Sequence, residues 1–464
     1  MPATFDALVI GTGQAGPALA ARLSGAGMKV AVVEKHKFGG TCVNNGCTPT
    51  KAMVASAYAA HVARRAREYG VLVQGEPQVD MKRVKARKDE IVRNSSAGVE
   101  KWVDGLKGAK VYRGHARFTG KNAVQVGGEQ LAAGKIFVNV GGRPLIPKMA
   151  GLDTVPCLTN ETIMDVDFVP PHLVVVGGSY VGLEFAQMFR RFGSRVTVVE
   201  MGPRLVARED EDVSLEIQRF LAAEGIQLRL HAECISMQKE PEGLSVGLDC
   251  SEHPRREPGT HLLLAVGRVP NTDDLGLDKA GVATDSRGFI VVDDWLRTNV
   301  PGIWALGDVN GRGTFTHTAY NDHEIVVDDV LGDGRRRVAD RIAAYALFTD
   351  PPLGRVGMTE TEVRASGRPA YVGVMPMTRV GRARERGETQ GFMKVVVDAK
   401  TERILGAALL CAEGDEIVHS LLDIMAADVP YTIVARSVHI HPTVTELIPT
   451  MLSELKPLVA STMH

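Results

Sequence analysis

Residues 7–34 read ALVIGTGQAGPALAARLSGAGMKVAVVE, and residues 173–200 read LVVVGGSYVGLEFAQMFRRFGSRVTVVE. Each opens with an apolar strand, turns at closely spaced glycines, continues as a helix and returns as a second apolar strand ending in glutamate. Glu34 follows Gly11 by 23 residues, and Glu200 follows Gly177 by the same 23. A lone glycine motif is weak evidence. Strand, glycines, helix, strand and acid, occurring twice at matched spacing, predict two dinucleotide-binding βαβ units. Gly11, Gly13 and Gly16 in the first unit, and Gly177 and Gly182 in the second, permit a tight turn. They also bring backbone N–H groups at a helix start close to a pyrophosphate. Glu34 and Glu200 stand where a carboxylate takes a ribose hydroxyl. Ordinary βαβ units with glycine turns are the alternative. Ser179 occupies the place of the middle glycine in the second unit, so slightly shifted, not lost, phosphate binding is expected.

Shortly after the first unit, residues 39–51 read GGTCVNNGCTPTK, placing Cys42 and Cys47 close together in a chain with 6 cysteines. A pair this close can close a small disulfide of the labile, catalytic kind. Half of a metal site is the competing reading, but metal spacings are usually tighter and come with a second ligand pair. No such second pair is apparent among Cys157, Cys234, Cys250 and Cys411. Two buried, inert cysteines are the other alternative.

The length of 464 residues with 44% hydrophobic content is enough for several packed domains, since single cores stop growing well short of this size. Lys+Arg 54 against Asp+Glu 55 leaves a net charge of −1, so no global field favours nucleic acid or an anionic membrane. The basic stretch 82–88 and the triplet Arg335-Arg336-Arg337 have acids beside them and read as solvated faces. No run approaches the roughly 18 apolar residues needed to cross a bilayer. The N-terminus lacks the pattern of an export signal. A cytoplasmic location is therefore expected, where disulfides are mostly transient.

Residues 39–51 resemble, almost letter for letter, the GGTCxNxGCxPxK signature of the flavoprotein disulfide reductases, and the resemblance continues along the whole chain. It implies an α/β fold with two Rossmann-like domains, for FAD and NAD(P), and a C-terminal α+β dimerisation domain. The FAD domain is expected at 1–145 and 268–340, the NAD(P) domain at 146–267 and the interface domain at 341–464. Residues 138–144, VNVGGRP, and 264–271, LAVGRVPN, resemble the family's crossings between domains, marked by Gly141 and Gly267. Residues 298–308, TNVPGIWALGD, resemble its second FAD motif, which implies that Asp308 meets the ribityl chain; a common turn is the alternative. From about residue 341, alternating strands at 345–349, 354–358, 393–397 and 405–410, then helices, fit a separate layer.

The resemblance also implies roles. Cys47 is the thiol against the flavin, and Cys42 is the interchange thiol that meets substrate. Lys51 pairs with Glu184 near the flavin, where a surface ion pair is the alternative. Tyr180 gates the nicotinamide pocket, unless it only packs at a helix start. His441 and Glu446, in HIHPTVTE at 439–446, match HxHPTxxE. Histidine supplies a proton carrier near working pH, and a carboxylate orients it. Thr443 and Glu446 also spell a helix capping box. In the family this segment serves the partner subunit's cysteines, which implies a homodimer. Glu200 favours NADH over NADPH, with Arg204 near enough in sequence to offer a compensating cation. No resident metal is expected.

Within the family, mercuric reductases pass metal through a C-terminal cysteine pair. Residues 458–464, LVASTMH, contain none, so efficient Hg(II) reduction is not expected. Soluble transhydrogenases need no dithiol. Asp322 and His323 depart from the common AHxAxxEG pattern. Together with FTDPPLGRVGMTE at 348–360, they resemble the reactive-chlorine-resistance and mercuric-reductase-like flavoproteins. The leading reading is an NAD(P)H-dependent FAD disulfide oxidoreductase reducing a disulfide, metal ion or metalloid in oxidant or metal defence. A dihydrolipoamide dehydrogenase is the second reading, and a redox-sensing flavoprotein without turnover is the third.

Overall fold

The computed structural model describes residues 2–458; residues 459–464 of the cysteine-free C-terminal stretch lie outside the described residues. The chain divides into two compact units, one of residues 1–147, 158–169 and 266–341, the other of 148–157, 170–265 and 342–464.

In the first unit the strand Ala3–Ile10 pairs in parallel with Val30–Glu34 on one side and Glu129–Val138 on the other. Ala109–Arg113 and Ile303–Ala305 extend the parallel part, and Ala116–Gly120 and Ala123–Val126 form an antiparallel margin. The central strand is continuously apolar because both its faces are covered. Leu8 and Ile10 enter one core cluster; Ala7 and Val9 enter another, against Leu19 of helix Ala15–Gly25 and Ile325 of helix Thr316–Leu331.

The second unit repeats the design. His172–Val176 pairs in parallel with Arg195–Val199 and His261–Leu264, and Gln227–Arg229 continues the sheet. The registers match between units: Gly11 N–H donates to Val33 C=O at 2.8 Å, and Gly177 N–H donates to Val199 C=O at 2.9 Å. Each glycine turn is thereby pinned level with the end of the strand that carries the acid. A three-stranded antiparallel sheet, Ser236–Glu240, Gly243–Gly247 and Arg256–Gly259, is appended.

The C-terminal part is an antiparallel sheet built from Ala344–Leu347, Leu353–Gly357, Phe392–Asp398, Ile404–Leu410 and Ala370–Pro376. The first of these strands ends two residues before the expected Thr349, ahead of Asp350-Pro351-Pro352, where proline cannot continue a ladder. Helix Gly414–Ala426 packs on this sheet. The two segments read as crossings meet: Gly142–Pro144 pairs antiparallel with Arg268–Pro270, and Leu145 N–H donates to Gly267 C=O at 2.9 Å. No helix among the described residues is long and apolar enough to cross a membrane.

Candidate active site

Gly39 and Gly40 take φ of 95° and 60°, a left-handed start that launches the short helix Gly40–Asn44 carrying Cys42. Gly46 then turns the chain so tightly that a Cβ there would lie 2.8 Å from Thr41 C=O. Helix Cys47–Arg65 begins immediately after, with Cys47 as its first residue. The two cysteines thus sit on either side of one glycine turn. Neither is in a disulfide, so the pair stands in the dithiol form of the expected disulfide. Cys47 is exposed, and its Sγ lies 3.2 Å from Thr316 Oγ1. A hydrogen bond with Cys47, and after it burial, push the Cys42 thiol far above the ordinary thiol range. Cys42 therefore keeps its proton at neutral pH and needs a base to become a nucleophile. Lys51 lies one turn into the same helix.

The glycine turn in the same unit is closely packed. A Cβ at Gly16 would lie 2.2 Å from Gly11 C=O, and one at Gly11 would lie 2.3 Å from Asn139 C=O. Only glycine allows this approach of helix and strands. Glu34 is fixed at its strand end: Oε2 accepts from Thr12 N–H at 2.9 Å and Oε1 from His36 N–H at 2.8 Å. Asp308 lies in the turn Gly307–Asn310, where burial raises its carboxyl above the usual range and Arg268, at 3.6 Å, opposes the rise. Such a carboxyl suits a hydroxyl-bearing ligand, so these residues fit FAD. Gly141 has φ 65° and open space around it.

The departure at Asp322 has a structural reason. Its Oδ2 accepts from Gly307 N–H at 2.8 Å and Asn310 Nδ2 at 3.1 Å, holding the turn that presents Asp308. Its other oxygen takes Arg341. His323 bonds to Tyr320 C=O, and burial holds its pKa below the usual value, so the ring is neutral.

In the second unit, the conformation that demands glycine falls on Gly177, at φ 114°, while Ser179 is extended at φ −112°. The serine Cβ therefore costs no backbone strain. A Cβ at Gly182 would lie 2.0 Å from Gly177 C=O. Glu200 accepts from Gly178 N–H at 2.6 Å and Gly202 N–H at 2.8 Å. Arg204 donates to Ala207 C=O at 3.2 Å.

Tyr180 opens the helix Tyr180–Phe192 and donates to Glu209 Oε1 at 3.0 Å. Tyr345 donates to the same oxygen at 2.7 Å, and Arg355, 1% exposed, binds the other oxygen. Burial, then the Glu209 charge, pushes Tyr345 up to about 12 and Tyr180 up as well, so both remain donors. Glu184 is buried on this helix and accepts from Phe348 N–H at 3.1 Å. Lys51 and Glu184 belong to different units.

His441 Nδ1 lies 2.6 Å from Glu446 Oε2. The capping-box reading of Thr443 and Glu446 does not hold, because the helix starts at Ile448 with a proline in its first turn. Glu446 is left to the imidazole. Thr316, Asn139 and Glu209 were not singled out from sequence as site residues. Thr316 stands where the common pattern has alanine, a signal that was there to be read; Asn139 and Glu209 have none outside the fold.

Cys234 and Cys250 form a disulfide, a pairing that nothing in the sequence reading singles out. Their separation of 16 residues carries no motif, and only the fold of the hairpin brings them together.

A family model described as pyridine nucleotide-disulphide oxidoreductase matches residues 5–322, and the model of that family's dimerisation domain matches residues 343–452. The probable pyridine nucleotide-disulfide oxidoreductase RclA of Escherichia coli K12 is 35% identical over 97% of this chain and 99% of its own. A dihydrolipoyl dehydrogenase of Thermus scotoductus is 32% identical, covering 96% and 95%. A mercuric reductase of Streptomyces lividans is 33% identical, covering 95% and 94%. The solved structure of the HOCl-induced flavoprotein disulfide reductase RclA from Escherichia coli matches with a TM-score of 0.88 at 35% identity, covering 97% and 100%. Its Cu(II) complex matches with the same TM-score of 0.88 at 34% identity, covering 97% and 99%.

Proposed function

The chain belongs to the pyridine nucleotide-disulphide oxidoreductase family, and on that premise we propose that it passes electrons from NADH to the Cys42/Cys47 pair and on to a disulfide or an oxidising metal ion in oxidant or metal defence. It is an FAD-dependent oxidoreductase with two dinucleotide-binding domains and a dimerisation domain. The observation that carries the reading is the pair of mutually hydrogen-bonded thiols across the Gly46 turn.

FAD, when bound, supplies two-electron chemistry between the nicotinamide and sulfur. Gly11, Gly13, Gly16, Glu34, Gly141 and Asp308 hold it. Gly177, Gly182, Glu200 and Gly267 would hold the coenzyme, with Tyr180 as its gate. Helix Cys47–Arg65 sets the positive end of its dipole beside the Cys47 sulfur. Cys42 is protonated at rest and gives its proton to His441 of the partner subunit, which Glu446 orients. The Cys42 thiolate attacks a disulfide acceptor, and the leaving thiolate takes that proton back. Cys47 then displaces the second thiol and closes the Cys42–Cys47 disulfide. The balance is NADH, a proton and one disulfide giving NAD⁺ and two thiols. With a metal acceptor, the two thiolates instead reduce two Cu(II) ions to Cu(I); the Cu(II) complex of RclA supports this acceptor class.

Val438 and Ile440, beside His441, are 97% and 78% exposed. Apolar side chains so exposed in a dimerisation domain support burial against a second copy. A dihydrolipoamide dehydrogenase is the second reading, favoured by the His441–Glu446 pair and the dihydrolipoyl dehydrogenases among the relatives.

The test is a panel of lipoamide, small disulfides and Cu(II), followed through oxidation of NADH and NADPH. Faster turnover with Cu(II) or non-lipoyl disulfides supports the defence reading; a dominant lipoamide activity overturns it. A like-charge contact at the protein surface costs on the order of 1–4 kcal/mol. Glu200 should therefore make kcat/KM for NADH exceed that for NADPH by at least about fivefold. A clear preference for NADPH contradicts the role given to Glu200.

A further inference from the structure

We propose that Cys234 and Cys250 are a second thiol-disulfide site, a redox setting for the affinity of the coenzyme site. The proposal rests on the reading of Glu200 as the coenzyme's carboxylate.

The disulfide joins two chain segments of different character. Residues 230–235 lead from the parallel strand Gln227–Arg229 into the antiparallel strand Ser236–Glu240. This segment is strained: His231 and Cys234 have φ of 53° and 49°, the left-handed region that non-glycine residues avoid. Residues 248–255 cap the other edge of the hairpin and are tied to themselves. Asp249 accepts from Ser251 N–H at 3.2 Å and Arg255 N–H at 3.1 Å, and its Oδ2 also takes Arg255 Nε at 3.1 Å. The disulfide therefore fastens a strained segment to an ordered post.

The strained segment also carries the backbone around Glu200. Glu200 N–H donates to Arg229 C=O at 2.8 Å, Ala232 N–H donates to Glu200 C=O at 3.0 Å, and His231 N–H donates to Gly202 C=O at 3.0 Å. Gly202 in turn donates to the Glu200 carboxylate at 2.8 Å. Ala232 is two residues from Cys234, so release of the sulfur reaches the carboxylate through three backbone bonds and no mobile side chain. Both cysteines are exposed, within reach of small oxidants and thiols.

The chemistry closes without the flavin. Two thiols give up two protons and two electrons to a peroxide, which becomes two waters, and the S–S bond forms. A small dithiol reverses it by exchange, becoming a disulfide itself. Oxidised, the pair holds residues 230–235 and the Glu200 loop in their binding geometry; reduced, the left-handed residues relax and the geometry loosens. The reductase thus takes up coenzyme most readily when oxidants are present.

Titration calorimetry with NAD⁺ on the FAD holoenzyme tests this, because NAD⁺ leaves the flavin oxidised. Peroxide-treated wild type should bind NAD⁺ roughly tenfold more tightly than phosphine-reduced wild type or Cys250→Ser, the order of effect of releasing a strained left-handed residue. Cys250→Ser should not respond to the phosphine, which separates this pair from Cys42 and Cys47. Peptide mapping should find the Cys234–Cys250 crosslink in the peroxide-treated protein. Equal affinities in oxidised and reduced wild type, or both cysteines still alkylated after peroxide, overturn the proposal. Loss of NAD⁺ binding in every form overturns the coenzyme reading itself, and the proposal with it.

Discussion

Cys42→Ser holoenzyme should lose turnover with disulfide acceptors by at least about 10⁴-fold, the order seen when a covalent nucleophile is removed. NADH should still bleach the flavin absorbance in this variant, because serine leaves the two glycine cradles untouched. The expectation follows from the geometry of one turn. Cys42 and Cys47 flank Gly46, the first in the middle of helix Gly40–Asn44 and the second at the start of helix Cys47–Arg65. The Cys42 thiol, held protonated by its hydrogen bond with Cys47, is the one that must attack. Serine has no sulfur to form the mixed disulfide, and the Cys411 thiol is fully buried. Disulfide turnover within tenfold of wild type in Cys42→Ser would place the acceptor's attack elsewhere.

His441→Ala should lower disulfide turnover by roughly 10²–10⁴-fold, the usual worth of a positioned acid or base. Flavin reduction by NADH should change little. Cu(II) turnover should suffer far less, since a metal ion takes electrons from the thiolates and releases no thiol that needs a proton. Raising the pH should partly restore disulfide turnover in the variant, because hydroxide can then deprotonate Cys42. The partner contribution has its own check. In a mixed dimer of His441→Ala with Cys42→Ser subunits, sites shared across the interface put both lesions into one site and leave the other whole. About half the wild-type activity per mixed dimer should return. Equal losses with disulfide and Cu(II) acceptors contradict the proton role of His441.

Much of this was legible in residue order because the signals are local. A glycine turn, its helix and the acid of the next strand lie within one short stretch, so Gly11 to Glu34 and Gly177 to Glu200 could be read directly, and the matched turn registers follow from the same pattern. The Cys42 and Cys47 pair and the His441 to Glu446 segment are equally local. At Ser179 the sequence predicts slightly shifted phosphate binding because it does not reveal backbone angles; in the structure the left-handed turn falls on Gly177 and Ser179 is extended. What escaped is what only folding brings together. Thr316 meets Cys47 across 269 residues, and Glu209 collects Tyr345 and Arg355 across 136 and 146. Cys234 and Cys250 are paired by a hairpin whose strands carry no redox motif. Thr443 and Glu446 spelled a helix cap, yet Pro449 sets the start of the helix later and frees Glu446 for the imidazole.

The central claim, that Cys42 and Cys47 form the disulfide that the coenzyme reduces, is tested most directly by counting thiols. Oxidised holoenzyme is mixed anaerobically with one equivalent of NADH, alkylated, and mapped by mass spectrometry. The account predicts that Cys42 and Cys47 are blocked before NADH and alkylated together after it, in Cys250→Ser as in the wild type. Thiols at Cys42 and Cys47 that are equally reactive before and after NADH would contradict it.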